Sequence, residues 1–275
     1  MTTSYTATSD WSRLAAEFAR WLPLIAPYGD RLIEMCAPDD GMRVLDVACG
    51  TGEPGLTLAM RHPRVRVVGS DKAPAMARAA GASAGAEGLC NIRFVVASGE
   101  HLPFPDNSFD RVICRFGVML FDDPVRGVRE LHRVVRPGGC VALSVWSVPK
   151  RVRCPALTLE VLERFSDQVE WPRTFALSEP SLLARMLVAA GFRSVSEEAY
   201  DPGFTFADVA HFLERNLTGR FIEQPYQALS ATRRARFVDA LGAAASAHAL
   251  PDGRIHLPQE ALLLGGTKPP PRVRR

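Results

Sequence analysis

Two carboxylates and a pair of glycines stand where a small nucleotide-like ligand could be held. The run Val44–Gly55 reads as a strand that breaks into a glycine turn and then enters a helix. Asp46 lies inside that strand, and Asp71 follows the next apolar strand, about 20 residues after Gly50. A carboxylate at this offset can accept hydrogen bonds from both hydroxyls of a ribose. The pattern therefore favours ribose binding by Asp71, with a helix N-cap before Pro74 as the alternative.

The glycine spacing has a second interpretation, which Asp46 argues against. Gly50, Gly52 and Gly55 match the dinucleotide fingerprint literally, although such glycines also serve ordinary tight turns. An acid beside a pyrophosphate is unfavourable, whereas an acid beside a cationic ligand without phosphate is favourable. Asp46 therefore points to a ligand such as S-adenosylmethionine. An NAD-dependent oxidoreductase is the weaker alternative.

Strands and helices alternate through the first half of the chain. Apolar runs bounded by turn residues predict strands at 43–47, 65–70, 92–96, 111–114 and 140–146. Helical stretches lie between them at 53–61, 74–81 and 124–135. This alternation predicts an α/β fold with a doubly wound, mainly parallel sheet, whose strands end at the ligand-binding edge.

The flanking segments are predicted from their proline and glycine positions. Pro23 and Pro27 interrupt the helical pattern of 11–36 and predict two or three short helices there. A later helix is predicted with Ser178 as N-cap and Gly191 as C-cap, followed by a strand at 193–200. Two apolar pieces within 254–267 are expected to close a seven-stranded sheet.

Composition limits the class of protein. The 275 residues are 47% hydrophobic with a formal net charge of +3, and the arginines are scattered, which argues against nucleic-acid binding. The N-terminus lacks a secretory pattern, and no apolar run is long enough for stable membrane insertion, so a cytoplasmic protein is expected. The six cysteines lack metal-ligand spacing and are expected to be reduced thiols with no metal; a soft-metal thiol site is the minor alternative.

Four segments together carry a resemblance to a known family. They are Val44–Gly52, Val68–Met76, Leu102–Asp110 and Arg133–Gly139, in this order within about residues 40–147. With them, the chain resembles the class I S-adenosylmethionine-dependent methyltransferases, nearest the ubiquinone/menaquinone methyltransferase-like small-molecule group. The resemblance implies a Rossmann-like methyltransferase domain over 41–268 with helical cap inserts at about 148–176 and 206–250. N-terminal helices within 1–40 would form part of the cap, and 269–275 would be a flexible basic tail.

The resemblance also implies a set of cofactor contacts. Asp46 and the Gly50–Gly52 turn would hold the methionine end, Asp71 the ribose, and Lys72 would lie beside the adenine. Ser98 stands where such families commonly have Asp, so its contact to the adenine would lack charge assistance. Met76 packs either near the adenine or in the core. The predicted positions are Asp46, Ala48, Gly50, Thr51, Gly52, Asp71, Lys72, Met76, Ser98, Gly99, Glu100, Arg115 and Phe116.

The expected reaction is methyl transfer to a small hydrophobic acceptor, driven mainly by positioning and exclusion of water. A polyketide, terpenoid or indole of secondary metabolism is the first choice of acceptor, and quinone C-methylation is the alternative. A non-catalytic nucleotide-binding scaffold or regulator is the alternative from another class. His211 is the candidate base if one is needed. The predicted acceptor pocket includes Trp21, Tyr28, Met119 and Phe212. The oligomeric state, including a homo-oligomer, stays open.

Overall fold

A computed structural model describes residues 8–218 and 220–270. The helices are α1 (Thr8–Cys36), α2 (Gly55–Arg61), α3 (Pro74–Ala86), α4 (Pro124–Val134), α5 (Arg153–Leu162), α6 (Leu182–Ala190), α7 (Val209–Leu217), α8 (Arg220–Gln227) and α9 (Ala231–Ser246). The strands are β1 (Arg43–Val47), β2 (Arg66–Asp71), β3 (Ile92–Val96), β4 (Phe109–Arg115), β5 (Val135–Trp146), β6 (Arg193–Tyr200), β7 (Phe204–Phe206), β8 (Ile255–Leu257) and β9 (Ala261–Thr267).

A seven-stranded sheet in the order β3-β2-β1-β4-β5-β9-β6 forms the framework. β1 pairs in parallel with both β2 and β4, β2 with β3, and β4 with β5. The strand order reverses direction between β1 and β4, where α/β sheets bind their ligands. Most residues of β1 and β4 are buried, as expected for central strands of a sheet that helices cover on both faces. The predicted doubly wound, mainly parallel sheet is confirmed.

The chain divides into two compact units, which are described separately. The described residues of unit 1 lie within Met1–Val145, Pro180–Glu198 and Leu262–Arg275, and this unit contains the large sheet. Unit 2 comprises Trp146–Glu179 and Ala199–Ala261. In unit 2, α5 packs against α7, α8 and α9, and β7 pairs antiparallel with β8. Phe206, Phe212 and Phe237 are fully buried in this unit.

The first helix differs from its prediction. α1 is one continuous helix through Pro23 and Pro27, not two or three short ones. Each proline removes one backbone N–H donor, but packing of α1 against α3 and β4 supports the helix across both positions. Tyr28 and Leu32 are fully buried and form part of that packed face.

Two further boundaries also differ. Of the segment 254–267, only Ala261–Thr267 joins the large sheet, because Ile255–Leu257 pairs with the unpredicted strand β7. α6 begins at Leu182, so Ser178 is not its N-cap, whereas Gly191 ends it with a left-handed φ of 111° as predicted. A three-residue strand such as β7 carries too short an alternation to be recognised in sequence.

Lys268, directly after β9, forms hydrogen bonds to the segments that precede β4 and β5. Its Nζ donates to the side-chain oxygen of Asn107 at 2.8 Å and to the carbonyl oxygens of His132 at 2.7 Å and Val135 at 2.9 Å. The predicted flexible tail starts immediately afterwards at residue 269, and its residues 271–275 lie outside the described part of the chain.

Two adjacent glycines in β5 give a test of the packing. A Cβ at Gly139 would lie 2.6 Å from the Asp110 carbonyl oxygen and 2.9 Å from that of Arg136, whereas a Cβ at Gly138 would meet nothing within 4 Å. We expect Gly139→Ala to lower the free energy of unfolding by about 2–3 kcal/mol through overpacking. Gly138→Ala should lower it by only about 1 kcal/mol, because the φ of +79° is unfavourable for alanine but the space is open. Urea denaturation of both variants measures the difference. Equal losses of unfolding free energy would contradict the close contact of Gly139 with the Asp110 and Arg136 carbonyls.

Candidate functional site

A strained turn joins β1 to α2. Ala48, Gly50 and Gly52 all have positive φ, at 56°, 55° and 110°. A Cβ at Gly52 would lie 2.7 Å from Leu56 Cδ1 and 3.2 Å from Ala80 Cβ, so only glycine fits there without rearrangement. A left-handed alanine is uncommon and costs about 1–2 kcal/mol, and such strain is concentrated at functional sites.

Asp71 at the end of β2 holds this turn in place. Its Oδ2 accepts the Gly50 N–H at 2.9 Å, and its Oδ1 accepts the Ala73 N–H at 2.8 Å. Burial raises the pKa of Asp71, and these two hydrogen bonds oppose the rise. Each carboxylate oxygen keeps a further lone pair, so the group can still accept bonds from ligand hydroxyls. The N-cap alternative is wrong: the N-cap of α3 is Ala73, and Asp71 at the end of β2 binds the N–H groups of Ala73 and of the glycine turn.

Asp46 lies beneath the turn and is completely buried. Its Oδ2 accepts the Gly55 N–H at the start of α2, at 2.9 Å. Burial raises the pKa of Asp46 to about 8, although Arg115 and the Gly55 hydrogen bond act in the opposite direction. Burial thus disfavours the charged form of this carboxyl group, and a cation bound beside it would favour that form.

Unsatisfied polar atoms cluster at the carboxyl ends of β1 and β2. Among the described residues, the buried side-chain oxygen or nitrogen atoms without a hydrogen-bond partner are Asp46 Oδ1, Thr51 Oγ1 and Ser70 Oγ. An unpaired buried polar atom costs about 1–3 kcal/mol. Their position beside the strained turn indicates a polar ligand at this edge of the sheet.

The loop after β3 forms the next wall. Ser98 Oγ donates to Glu100 Oε2 at 3.1 Å, and Glu100 Oε1 accepts the Asp123 N–H at 2.6 Å. Phe121 packs over Gly99, where a Cβ would overlap its ring. The Ser98 oxygen also accepts the Glu100 N–H at 3.2 Å, which leaves it one lone pair to accept a hydrogen bond from a ligand.

Arg133 connects the segment before β4 to the end of α4, and this role was not predicted from the sequence. It donates to the carbonyl oxygens of Leu102 at 2.9 Å and Phe104 at 2.7 Å. It also forms ion pairs with Glu130 at 2.7 Å and Asp106 at 2.9 Å. The only hint in the sequence was that the segments Leu102–Asp110 and Arg133–Gly139 occur together, because each supplies one side of this contact.

Arg115 and Phe116 at the end of β4 differ in role. Arg115 is buried, and its guanidinium donates to the carbonyl oxygens of Glu53 at 2.9 Å and Ile25 at 3.4 Å. It links the glycine turn to α1, and burial lowers its pKa. Phe116 has φ 56° and packs edge-on against Tyr28, with ring centroids 5.1 Å apart.

The other predicted residues of unit 1 have varied exposure. Lys72 directly follows Asp71 and is half-buried, whereas Met76 is buried in α3, which agrees with the core alternative. Met119 is buried in a 3-10 turn after β4. Trp21 is partly exposed on α1. Tyr28 and Met119 therefore belong to the apolar surroundings of the β4 end.

Two predicted residues lie in unit 2. Phe212 is fully buried and packs against Phe206, with ring centroids 5.3 Å apart, as a core residue of that unit. His211 Nδ1 accepts the Ala207 N–H at 3.1 Å, and its Nε2 lies 3.2 Å from Arg215 Nε. A neutral imidazole has one acceptor nitrogen, so only one of these two N–H groups can donate to the ring at a time. The role of His211 as a general base stays a prediction.

Comparison with known proteins identifies the family. A family model described as a methyltransferase domain matches residues 44–139. Demethylmenaquinone methyltransferase of Deinococcus radiodurans is 39% identical over 165 residues, covering 55% of this chain and 68% of the relative. The same-named protein of Geobacillus stearothermophilus is 32% identical over 178 residues, covering 59% of this chain and 76% of the relative. The chain belongs to the class I S-adenosylmethionine-dependent methyltransferases.

A solved structure supports the fold of this methyltransferase. The YcgJ protein of Bacillus subtilis superposes with a TM-score of 0.61 at 23% sequence identity, covering 88% of this chain and 98% of that one. Some other relatives match over a smaller share of their length; the relative from Thermus thermophilus is covered to 54%. The family model ends before unit 2 begins, so it contains the glycine turn and Asp71 but no residue of that unit.

S-adenosylmethionine is the cofactor of this family, and the residues present fit it. The unpaired oxygens of Asp46, Thr51 and Ser70 and the free lone pairs of Asp71 offer acceptors for ammonium and hydroxyl groups. The enzyme has no need of the pyrophosphate cradle that the literal glycine spacing suggested. Assignment of individual cofactor contacts stays a prediction.

No described group of three or more His, Cys, Asp or Glu side chains could hold a metal ion. None of the described helices combines the length and apolarity needed to cross a membrane. Nucleic-acid binding, location in the cell and oligomeric state stay predictions.

Proposed function

We propose that this methyltransferase transfers a methyl group to a ring carbon of an apolar quinol-type acceptor. The observation that carries the proposal is the similarity to proteins named demethylmenaquinone methyltransferase, at 39% and 32% identity. It favours quinone C-methylation over the secondary-metabolism acceptor that was the first choice from sequence.

The surroundings of the β4 end support an apolar acceptor. Phe116, Met119 and Phe121 are buried, and the segment 116–121 contains no titratable side chain. Such a surface favours a ring without charge and excludes water from it. An aspartate or histidine would be expected there if the acceptor had to lose its proton to a side chain.

The chemistry follows from these roles. S-adenosylmethionine supplies an activated methyl group on a sulfonium centre. Asp71 holds the Gly50 turn, Arg115 braces that turn against α1, and the residues after β4 present an apolar wall. Ordered positioning of two reactants can contribute about 7–11 kcal/mol to lowering a barrier. An electron-rich quinol ring would need little beyond this alignment, and the ring proton that the methyl group replaces would pass to bulk water when the site opens.

The second acceptor class is the one that the sequence put first. Unit 2 lies outside the residues matched by the family model, so that match carries no information on what unit 2 binds. A polyketide, terpenoid or indole acceptor therefore remains the second candidate. The prediction that the inserts at about 148–176 and 206–250 cap the acceptor stays a prediction.

Methyl transfer to defined acceptors tests the proposal. The purified chain is incubated with methyl-labelled S-adenosylmethionine and a chemically reduced, short-chain demethylmenaquinol, an indole or a phenolic polyketide. We expect label on a ring carbon of the quinol, located by mass spectrometry and NMR. Asp71→Ala, which removes the bond to the Gly50 turn, is the control with weakened cofactor binding and should transfer less label at a limiting cofactor concentration.

The other outcomes are equally informative. Labelling of the indole or polyketide without the quinol would replace the proposal with the second candidate. Binding of S-adenosylhomocysteine by calorimetry, with no transfer to any acceptor or to extracted metabolites, would instead indicate a non-catalytic cofactor-binding role.

A further inference from the structure

Two cysteines meet at the end of the sheet opposite the glycine turn. Cys36 is the last residue of α1, and Cys140 lies in β5 beside Arg111 of β4. Cys140 Sγ lies 3.9 Å from the Cys36 carbonyl oxygen, and Cys36 Sγ lies 3.8 Å from the Val112 carbonyl oxygen. Each thiol also shifts the pKa of the other, as expected for neighbouring sulfurs. Two residues 104 positions apart in the chain are thus neighbours, with Cys140 Sγ against the backbone of Cys36.

The two thiols have different exposure and acidity. Cys36 is 1% exposed, whereas Cys140 is partly exposed. The hydrogen bond from the Cys36 thiol lowers the pKa of Cys140 to about 7, and the nearby Arg111 guanidinium acts in the same direction. The same hydrogen bond, together with burial, raises the pKa of Cys36. Because Cys36 is buried and Cys140 is partly exposed, Cys140 is the thiol that an oxidant in solution reaches first.

Arg111 holds this arrangement in place. Its Nε donates to the Cys36 carbonyl oxygen at 2.7 Å, and its backbone is the parallel-sheet partner of Cys140. One side chain thus positions the end of α1 and places a positive charge beside both sulfurs. Cationic surroundings of this kind distinguish reactive thiols from inert buried ones.

We propose that Cys36 and Cys140 form a peroxide-reactive dithiol, in which the partly exposed Cys140 reacts first and the buried Cys36 closes an intramolecular disulfide. The oxidant is a hydroperoxide such as hydrogen peroxide. This site is separate from the methyl-transfer site and does not depend on the identity of the acceptor.

The chemistry balances in two steps. The Cys140 thiolate attacks one peroxide oxygen, the O–O bond breaks, and the protonated leaving oxygen departs as water, which gives a sulfenic acid. The Cys36 sulfur then attacks the Cys140 sulfur, the S–O bond breaks, and the thiol proton leaves with the hydroxyl group as a second water. Two thiols have lost two electrons and two protons, and the peroxide has been reduced to two waters.

Closure would join the end of α1 covalently to β5. α1 also carries Tyr28, which packs on Phe116, and the Ile25 carbonyl, which binds Arg115. The disulfide would therefore restrain the helix that braces the apolar wall. Because the sulfurs lie at the opposite end of the sheet, oxidation should leave the Asp71 contacts to the glycine turn intact.

Mass spectrometry of the full chain tests the proposal. The reduced protein is treated with a stoichiometric amount of hydrogen peroxide, blocked with N-ethylmaleimide and digested without reductant. We expect a linked Cys36–Cys140 peptide to become the major oxidised species and to disappear after treatment with dithiothreitol. Cys90→Ser, which removes an exposed cysteine, is the matched control and should leave this link unchanged.

A second variant separates the two steps. In Cys36→Ser, dimedone should label Cys140 several-fold more than Cys90, because the sulfenic acid has no partner thiol. If that variant does not fold, the wild-type linked peptide decides alone. Recovery of Cys36 and Cys140 as unlinked maleimide adducts, or prior oxidation of Cys90, would overturn the proposal.

Discussion

At pH 8, Asp46→Asn is expected to raise the free energy of unfolding by about 1–3 kcal/mol. The Asp46 carboxyl group is completely buried, and one of its oxygens has no partner. Asparagine keeps an acceptor for the Gly55 N–H and carries no charge that burial could penalise. The variant therefore removes a destabilising group without emptying the position.

The pH dependence of this effect follows from the pKa of Asp46 in the folded and in the unfolded protein. In the folded protein the pKa of Asp46 is raised to about 8, well above its value in an unfolded chain. Between about pH 4 and pH 8 the unfolded state has lost the proton while the folded state keeps it, so wild-type stability falls as pH rises. The advantage of Asp46→Asn should therefore be absent near pH 4 and largest near pH 8.

Urea denaturation at several pH values between 4 and 8 measures this effect. Asp39→Asn is the matched control, because it removes an equal charge from an exposed position. A variant whose stability tracks wild type across the whole range would show that Asp46 is not a strained buried acid.

The same variant tests the ligand role of Asp46. If its unpaired oxygen receives the cofactor ammonium group, Asp46→Asn should bind S-adenosylhomocysteine about tenfold more weakly while being more stable. Calorimetry on the two proteins separates the effects. Unchanged affinity would leave Asp46 with a structural role only, as the support of Gly55.

Asp71→Ala is expected to weaken cofactor binding by about 1.5–3 kcal/mol, or roughly 10- to 150-fold. The variant loses the acceptor for the predicted ribose hydroxyls, and it also releases the Gly50 and Ala73 N–H groups. Both losses act on one ligand site, because the turn and the carboxylate are adjacent.

Asp71→Asn separates charge from turn support. Its amide oxygen can still accept one of the two N–H groups, so we expect an intermediate loss of affinity. Titration with S-adenosylhomocysteine, with circular dichroism to establish folding, measures the series. A folded Asp71→Ala protein with wild-type affinity would refute the ribose role.

Much of the large sheet was predictable, because its strands are apolar runs bounded by turns. The glycine turn and Asp71 were recognised for a related reason: their residue types are those that the geometry requires. The continuous α1 was missed because local proline rules cannot include the packing of Tyr28 and Leu32 that compensates for them. Strand β7 was missed because three residues carry no measurable alternation.

The parts of the site that could not be predicted depend on contacts between distant segments. Arg133 binds the carbonyls of Leu102 and Phe104, and no local pattern contains both partners. Arg115 as a wall of the cofactor site stays a prediction, and its hydrogen bonds to the Glu53 and Ile25 carbonyls could be known only from the structure. His211 was selected by residue type, whereas its hydrogen bonds could be known only from the structure.

The position of β9 between β5 and β6 has a consequence for synthesis of the protein. β9 follows unit 2 in the chain, so a ribosome makes both neighbouring strands long before it makes the strand that joins them. Until Ala261–Thr267 emerges, β5 and β6 have unpaired edges, which are sites of aggregation. Chains released early should therefore be selectively insoluble, and a folding reporter placed after β9 should report only on completed sheets.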